Sequence, residues 1–462
     1  MRAPLKPSLP AGARASGGVR VPAHERHVLG NGVTLVIVPR RDVPLIAFNA
    51  VIRGGTLADP RGKSGVASLV ANLLEKGAGD RNAYAFADAV EGAGGSFSAF
   101  AGAESLSLSG QFLARDQDLA VALLADALLR PHLASEEFEK LRARQIELIK
   151  AAKDSDPADL IGTYGRAALF GEHPYGRPVM GSERTLAKID ADDIRAYYRA
   201  QVGADRLTLV FAGDVDAAAL TRAVTEAFGS AAPAPTPLPP LAPAPRLRER
   251  RVFLIDSPES EQAHFWIGNV GVSKHYAPRA ALELVNTLYG GRFTSILNTE
   301  LRIRTGLSYG ARSTFTRSAT AGEFAIRSFT QAESTAQALH LAIDSLARLK
   351  HSGVTAEMLD SARAYVLGQY PLGFETAADW AAALAELEFY GLGADYIEQY
   401  GAELCAVSPQ AARIVIDEAF PAAGDLAVVI VGPAASLREP AREFGAVTEW
   451  PLTRPDFAPP RR

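Results

Sequence analysis

The 462-residue chain has one cysteine, three methionines and three tryptophans. A single thiol cannot close an intrachain disulfide, so no disulfide framework supports the fold. Cys405, in AELCAVS, has no neighbouring His and no CxxC partner, and reads as a buried, inert thiol. An excess of one charge is also missing, since 48 Lys+Arg face 52 Asp+Glu for a formal net of −4. Without a basic field or an acidic tail, nucleic-acid binding is not expected. No apolar run is long enough to span a bilayer, so no membrane partner is expected either. The opening MRAPLKPSLPAGARASGGVR is basic and rich in Pro, Gly and Ala, and lacks the continuous apolar segment of a secretory signal. It reads as a disordered lead-in over residues 1–24. The expected compartment is the cytoplasm, with the periplasm left open.

Apolar residues are abundant, at 48% of the chain, and the length exceeds what one core normally serves. Seven prolines fall between Pro233 and Pro245, in AAPAPTPLPPLAPAPR. Such a segment forms neither a helix nor a central strand, and acts as a semi-rigid spacer. The stretches on either side of this linker (231–246) repeat one another. GVTLVIVPR and PLIAFNAVIRGG open the first, RVFLIDSP and QAHFWIGNVGV the second; a helix follows in each, SGVASLVANLLEKG or APRAALELVNTLYGG. Each continues with a strand (SLSLSGQFL, GEFAIRSFT), further helices, and a last strand ending in Gly (RLTLVFAGDV, DLAVVIVGPA). A duplicated α/β unit follows, in domains 25–230 and 247–452 with a tail at 453–462. Alternating polarity in the strands predicts mainly antiparallel sheets with helices on one face.

In SGVASLVANLLEKG (64–77), Val66, Leu69, Val70 and Leu73 form a stripe at helical spacing, with Ser68, Ala71, Asn72 and Glu75 on the opposite face. By itself the stripe describes an ordinary core helix. Positions 68 and 72 nevertheless lie one turn apart, the spacing at which two histidines grip zinc from a helix. The eight histidines supply no substitute ligand set. His24 and His27, in HERH, read as surface residues, and His173, in GEHPYGRP, as structural.

The stretch from IRGGTLADPRGKSG through EGAGGSF closely resembles the start of the pitrilysin, insulinase and mitochondrial-processing-peptidase family of zinc peptidases. That family carries Gly-x-x-His-x-x-Glu-His on the equivalent helix. Alignment on Gly54, Gly55, Asp59, Pro60, Gly65 and Gly77 puts the histidines at Ser68 and Asn72 and the catalytic Glu at Ala71. The family's third ligand, a Glu on a later helix, falls on Ile149, with Glu147 reachable through a small gap. Ser and Asn are poor zinc ligands and Ala cannot accept a proton from water, so no metal is expected in this chain. The family's Asn-Ala, presented on an edge strand, is replaced by Ser98-Ala99, which puts peptide binding by the first domain in doubt.

GGRFTSILNTELRIRTGLSYGARS (290–313) is similar to the family's second-domain signature, in which an Arg and a Tyr seven residues apart reach over the bound peptide. They map to Arg302 and Tyr309. A guanidinium fork and a phenol can donate to substrate carbonyls and steady a tetrahedral oxyanion. Outside this motif the two would read as a solvated helix-end charge and a half-buried strand aromatic. The resemblance, from about residue 25 to 450, implies an α+β architecture of two homologous α/β sandwich domains forming half of a clam shell. It implies a non-catalytic subunit paired with a homologous His-x-x-Glu-His subunit, with zinc in that partner and oligopeptides as substrate. A zinc-free assembly subunit, a peptide-binding or chaperone-like homodimer and a lone peptidase are the competing readings.

Overall fold

The structure, a computed structural model, describes residues 18–155 and 157–460. The expected disordered lead-in lies outside the described residues as far as residue 17. From residue 18 the chain is in place, and Val19 and Val21 pack against the helices that follow residue 377.

Two six-stranded sheets organise the molecule. The first contains β1 (Glu25–Val28), β2 (Thr34–Pro39), β3 (Leu45–Arg53), β4 (Ser96–Ala101), β5 (Ser105–Leu113) and β6 (Leu207–Gly213). The second contains β7 (Arg251–Asp256), β8 (Gln262–Val270), β9 (Ala311–Arg317), β10 (Gly322–Gln331), β11 (Ala427–Gly432) and β12 (Val447–Pro451). Their orders, β1-β2-β6-β3-β5-β4 and β12-β7-β11-β8-β10-β9, match strand for strand. In each, the opening strand runs parallel to the closing one (β2 with β6, β7 with β11), and the strands beyond are antiparallel. Only the outer strand breaks the repeat. β1 precedes β2 and pairs with it antiparallel, whereas β12 arrives from the end of the chain and pairs parallel with β7.

The helices that matter here are α1 (Val66–Leu73), α2 (Gln117–Leu129), α3 (Ser135–Ser155) and α4 (Ile161–Phe170) in the first half. In the second they are α5 (Arg279–Asn286), α6 (Thr335–Ser352), α7 (Ala356–Gln369) and α8 (Ala377–Tyr390). Each half lays its own helices on one sheet face, as the sequence predicts, and sends one helix to the other half. α8 lies on β3 and β6, and α4 lies on β8 and β11. Trp380, Ala381 and Leu384 of α8 thus bury Val36, Val51 and Val210 of the first sheet. Covering both faces explains why AVVIVG (β11) is buried throughout rather than alternating. α4 comes close because it presents glycines, and a Cβ on Gly165 would stand 2.4 Å from the Trp266 indole.

Polar contacts join the halves as well. Glu104, between β4 and β5, accepts from Tyr175 Oη at 2.6 Å, from Tyr390 Oη of α8 at 3.1 Å and from the Ala319 amide at 3.1 Å. Buried Glu323 lies between Arg166 of α4 (3.7 Å) and Arg327 (3.3 Å). Residues 231–246 contain no helix or strand, yet they are fastened down. The Ala234 amide donates to Asp205 at 2.6 Å, and Arg246 reaches the Val270 and Glu418 carbonyls. Beyond β12, Phe457 is buried against Tyr164 of the first half.

Candidate functional site

α1 begins where Asp59 intercepts its free amides. The carboxylate accepts from Gly65 N and Ala67 N, both at 2.8 Å, while Gly65 takes a φ of 106°. Burial pushes the Asp59 carboxyl up to about 7, opposed by those two amides and by the Arg177 charge. The helix is buried nearly all round, against β4, α3 and the helix Ala191–Gln201. On the face opposite the apolar stripe, Ser68 and Ala71 are buried too, because neighbouring elements close over both sides. Asn72 is partly exposed.

The structure brings the four zinc-equivalent positions to adjoining helices, α1 and α3. Ala71 and Ile149 belong to one apolar cluster. Glu147 points elsewhere, since its side chain is exposed and paired with Lys150 at 2.9 Å. Among the described residues no group of three or more His, Cys, Asp or Glu is placed to hold a metal. A hydroxyl, an amide, a methyl and a sec-butyl side chain supply neither the ligands nor the base that zinc hydrolysis needs.

Arg302 and Tyr309 stand together in the second half. Leu297 and Leu301, four residues apart, are sunk in that half's core, which turns Arg302 and Ile303 outward. Arg302 lies in a π-helical turn, Thr299–Arg304. The loop beyond it is pinned: Gly306 (φ 67°) donates to Arg302 O at 3.1 Å and Ser308 N donates to Leu301 O at 3.0 Å. Tyr309 is 75% exposed and precedes β9 rather than lying half-buried within a strand. Its ring centroid is 4.4 Å from the Arg302 guanidinium carbon, and Phe293 flanks Arg302 at 4.8 Å. Buried Asn298 fixes this arrangement by donating to Phe293 O (2.7 Å) and accepting from Ala311 N (3.1 Å).

The guanidinium has no hydrogen bond or ion pair among the described residues; Glu300 is engaged by Arg304 at 2.8 Å. The two rings hold the guanidinium by cation–π contact, and its N–H groups remain free to donate. Phe293, 59% exposed, is the residue sequence reasoning missed; its place in the motif GGRFTS was the available signal.

Other expectations resolve as follows. Cys405 is exposed, not buried, because the helix Tyr400–Ala406 turns only Leu404 into the core. His24 is exposed and His27 partly exposed. His173 is structural: its Nδ1 accepts from Tyr175 N (3.2 Å), so Nε2 carries the proton shared with Ala242 O at 2.9 Å. Ser98 lies on the edge strand β4 with its hydroxyl 3.1 Å from that of Ser109, and Ala99 is buried. No helix among the described residues is long and apolar enough to cross a membrane.

Comparison with known proteins bears on both sites. The family model described as insulinase (peptidase family M16) matches residues 44–183, and the one described as peptidase M16 inactive domain matches residues 188–366. An uncharacterized zinc protease of Mycobacterium tuberculosis is 29% identical over 330 residues, covering 71% of this chain and 75% of that protein. A non-peptidase homolog of Helicobacter pylori, YmxG, is 24% identical over 339 residues, 72% of this chain and 77% of its own length. Among solved structures, a peptidase M16 inactive domain from Pseudomonas fluorescens superposes with a TM-score of 0.82 at 22% identity, covering 89% of this chain and 98% of its own. The periplasmic protease PqqL of Escherichia coli gives 0.75 at 15% identity, covering 90% of this chain and 46% of its own.

Proposed function

Because the chain belongs to the peptidase M16 family, we propose that it is the non-catalytic subunit of a heterodimeric zinc peptidase. The partner is a homologous chain carrying His-x-x-Glu-His, and its zinc supplies the hydrolytic chemistry. On this reading Ser68, Ala71, Asn72 and Ile149 mark the metal site this chain has lost. Its halves, 25–230 and 247–452 with the linker 231–246 between them, form one side of a closed chamber. Arg302 and Tyr309 face the partner's site, where the guanidinium edge and the phenol donate to the carbonyls of an extended oligopeptide and favour the developing oxyanion.

The observation that carries the proposal is a contrast within one chain. Of the zinc-equivalent positions, Ala71 and Ile149 are built into apolar core, while Arg302 lies against two rings with no ion-pair partner among the described residues. A chain that served only as scaffold has no use for an unpaired, stacked guanidinium.

The test is isolation of the chain from native cells with its bound partners, followed by peptide hydrolysis with the reconstituted pair. A companion carrying His-x-x-Glu-His is expected, and Arg302→Ala should lower turnover by more than ~100-fold. Unchanged turnover in that variant would remove the role assigned to Arg302. A chain isolated alone or self-paired would replace the peptidase reading with a zinc-free scaffold or peptide-binding role.

A further inference from the structure

The second half contains a cavity of ≈ 440 Å³, none of whose lining residues belongs to α1 or to the Arg302 stack. Its volume falls within the range of about 300–1,000 Å³ usual for small-molecule sites. α5 supplies Arg279 and Glu283, β9 ends in it at Arg317, and tyrosines 365, 370, 396 and 400 form much of the wall. Aromatic surface with a few converging polar groups is the composition of a ligand site rather than of a packing defect, which is usually lined by aliphatic residues alone.

Most charges around the cavity are already engaged. Lys274 is bound to Glu386 at 2.6 Å. The Arg279 fork is held by both oxygens of Glu403, at 2.8 and 3.0 Å, and lies 3.6 Å from the Tyr396 ring centroid. Two charges are left over. Neither Glu283 nor Arg317 has an ion-pair partner within 4.0 Å among the described residues. Arg317 is partly exposed where it lines the cavity, and its buried Nη1 has no hydrogen-bond partner. The one bond to Glu283, from the Thr287 hydroxyl, is long at 3.5 Å. Surrounding protein raises the Glu283 carboxyl and the nearby Arg317 charge opposes the rise, yet its side chain is open to the cavity.

An acid and a base therefore line one cavity without pairing with each other. A simple anion bound to Arg317 would be repelled by Glu283, and a simple cation by Arg317. A small molecule carrying both charges satisfies both groups. We propose that this cavity binds a free α-amino acid or dipeptide with an aromatic or apolar side chain, its ammonium on Glu283 and its carboxylate on Arg317. Tyr365, 43% exposed, and Tyr370 line the wall against which that side chain lies.

The test is calorimetric titration of the full chain with phenylalanine, with the dipeptide phenylalanyl-leucine, and with N-acetyl-phenylalaninamide, which lacks both charges. At least one zwitterion should bind with a Kd below about 1 mM. The blocked analogue should bind at least about tenfold more weakly, and Glu283→Gln and Arg317→Gln should each weaken binding by about ten- to a hundredfold. The proposal is overturned if neither zwitterion saturates by about 10 mM, or if the blocked analogue binds equally well. Both comparisons use the unmutated chain, so neither depends on a variant folding. Unchanged affinity in folded Glu283→Gln and Arg317→Gln would also overturn it. None of these outcomes depends on the partner subunit or on Arg302.

Discussion

Arg302 keeps its charge unpaired on the surface, and two rings determine where that charge can point. Phe293 and Tyr309 lie against the guanidinium, with ring centroids 4.8 and 4.4 Å from its central carbon. Exposed cation–π contacts contribute about 0.5–1 kcal/mol each. Phe293→Ala should therefore lower turnover by the reconstituted pair by about two- to fivefold, with a stability loss of no more than about 1 kcal/mol, because Phe293 is mostly exposed. A loss of about 3–5 kcal/mol would show that Phe293 belongs to the core instead. Arg302 and Tyr309 are legible in the sequence because a motif fixes their spacing. Phe293 is not, because a lone Phe gives no sign whether it faces core, solvent or a cation. Cys405 shows the same ambiguity, since a small apolar thiol on a helix reads as core and here faces water.

At the level of the element, α1 depends on a carboxylate whose ionisation its surroundings oppose. Between the ordinary Asp range, near 4, and about 7, folded Asp59 retains a proton that the unfolded chain has released. Stability should therefore fall as pH rises through that window and level off above it, by roughly 1.4 kcal/mol per unit of displacement. Chemical denaturation from pH 4 to 8 reads the slope, and Asp59→Asn should flatten it even though the substitution also costs one amide acceptor. A steeper slope in Asp59→Asn would contradict the assignment. The stripe Val66, Leu69, Val70 and Leu73 is readable from periodicity, but the burial of Ser68 and Ala71 is not, because small residues fit either face. That burial governs the attempt to restore the metal site. Ser68→His, Ala71→Glu and Asn72→His together place a carboxylate in apolar core, at a cost of several kcal/mol. The triple variant should melt earlier and bind no stoichiometric zinc by atomic absorption, because Ile149 still fills the third position. Stoichiometric zinc in a stable triple variant would show that the site had been vacant rather than filled.

For the whole molecule, duplication is visible in the order of strands and helices, and the matching sheet orders follow it. What the sequence hides is the exchange. ADWAAALAELEFY (378–390) carries apolar residues around much of its circumference, so its periodicity names no partner, and nothing local says that α8 lies on the first sheet. The glycines of α4 are likewise unremarkable until Trp266 stands against them. The proline-rich segment reads as a spacer between independent domains, yet each half lends the other the cover for a sheet face. Removing α8 exposes Val36, Val38, Val51 and Val210 together, and removing α4 exposes Trp266, Val429 and Val431. Apolar faces of that size favour aggregation over folding. Trp380→Ala, at about 3–5 kcal/mol, should accordingly lower one shared transition rather than split it into two. Separation of the chain within residues 231–246 supplies the sharper measurement. Each half produced alone should be insoluble or lack a cooperative melt, while the two produced together should assemble into a species with the thermal transition of the intact chain. The Glu104 contacts to Tyr390 and Ala319 and the Arg166–Glu323 pair add polar specificity to that assembly. A half that melts cooperatively by itself would mean that its outer sheet face tolerates water, and that α4 and α8 dock onto domains already folded.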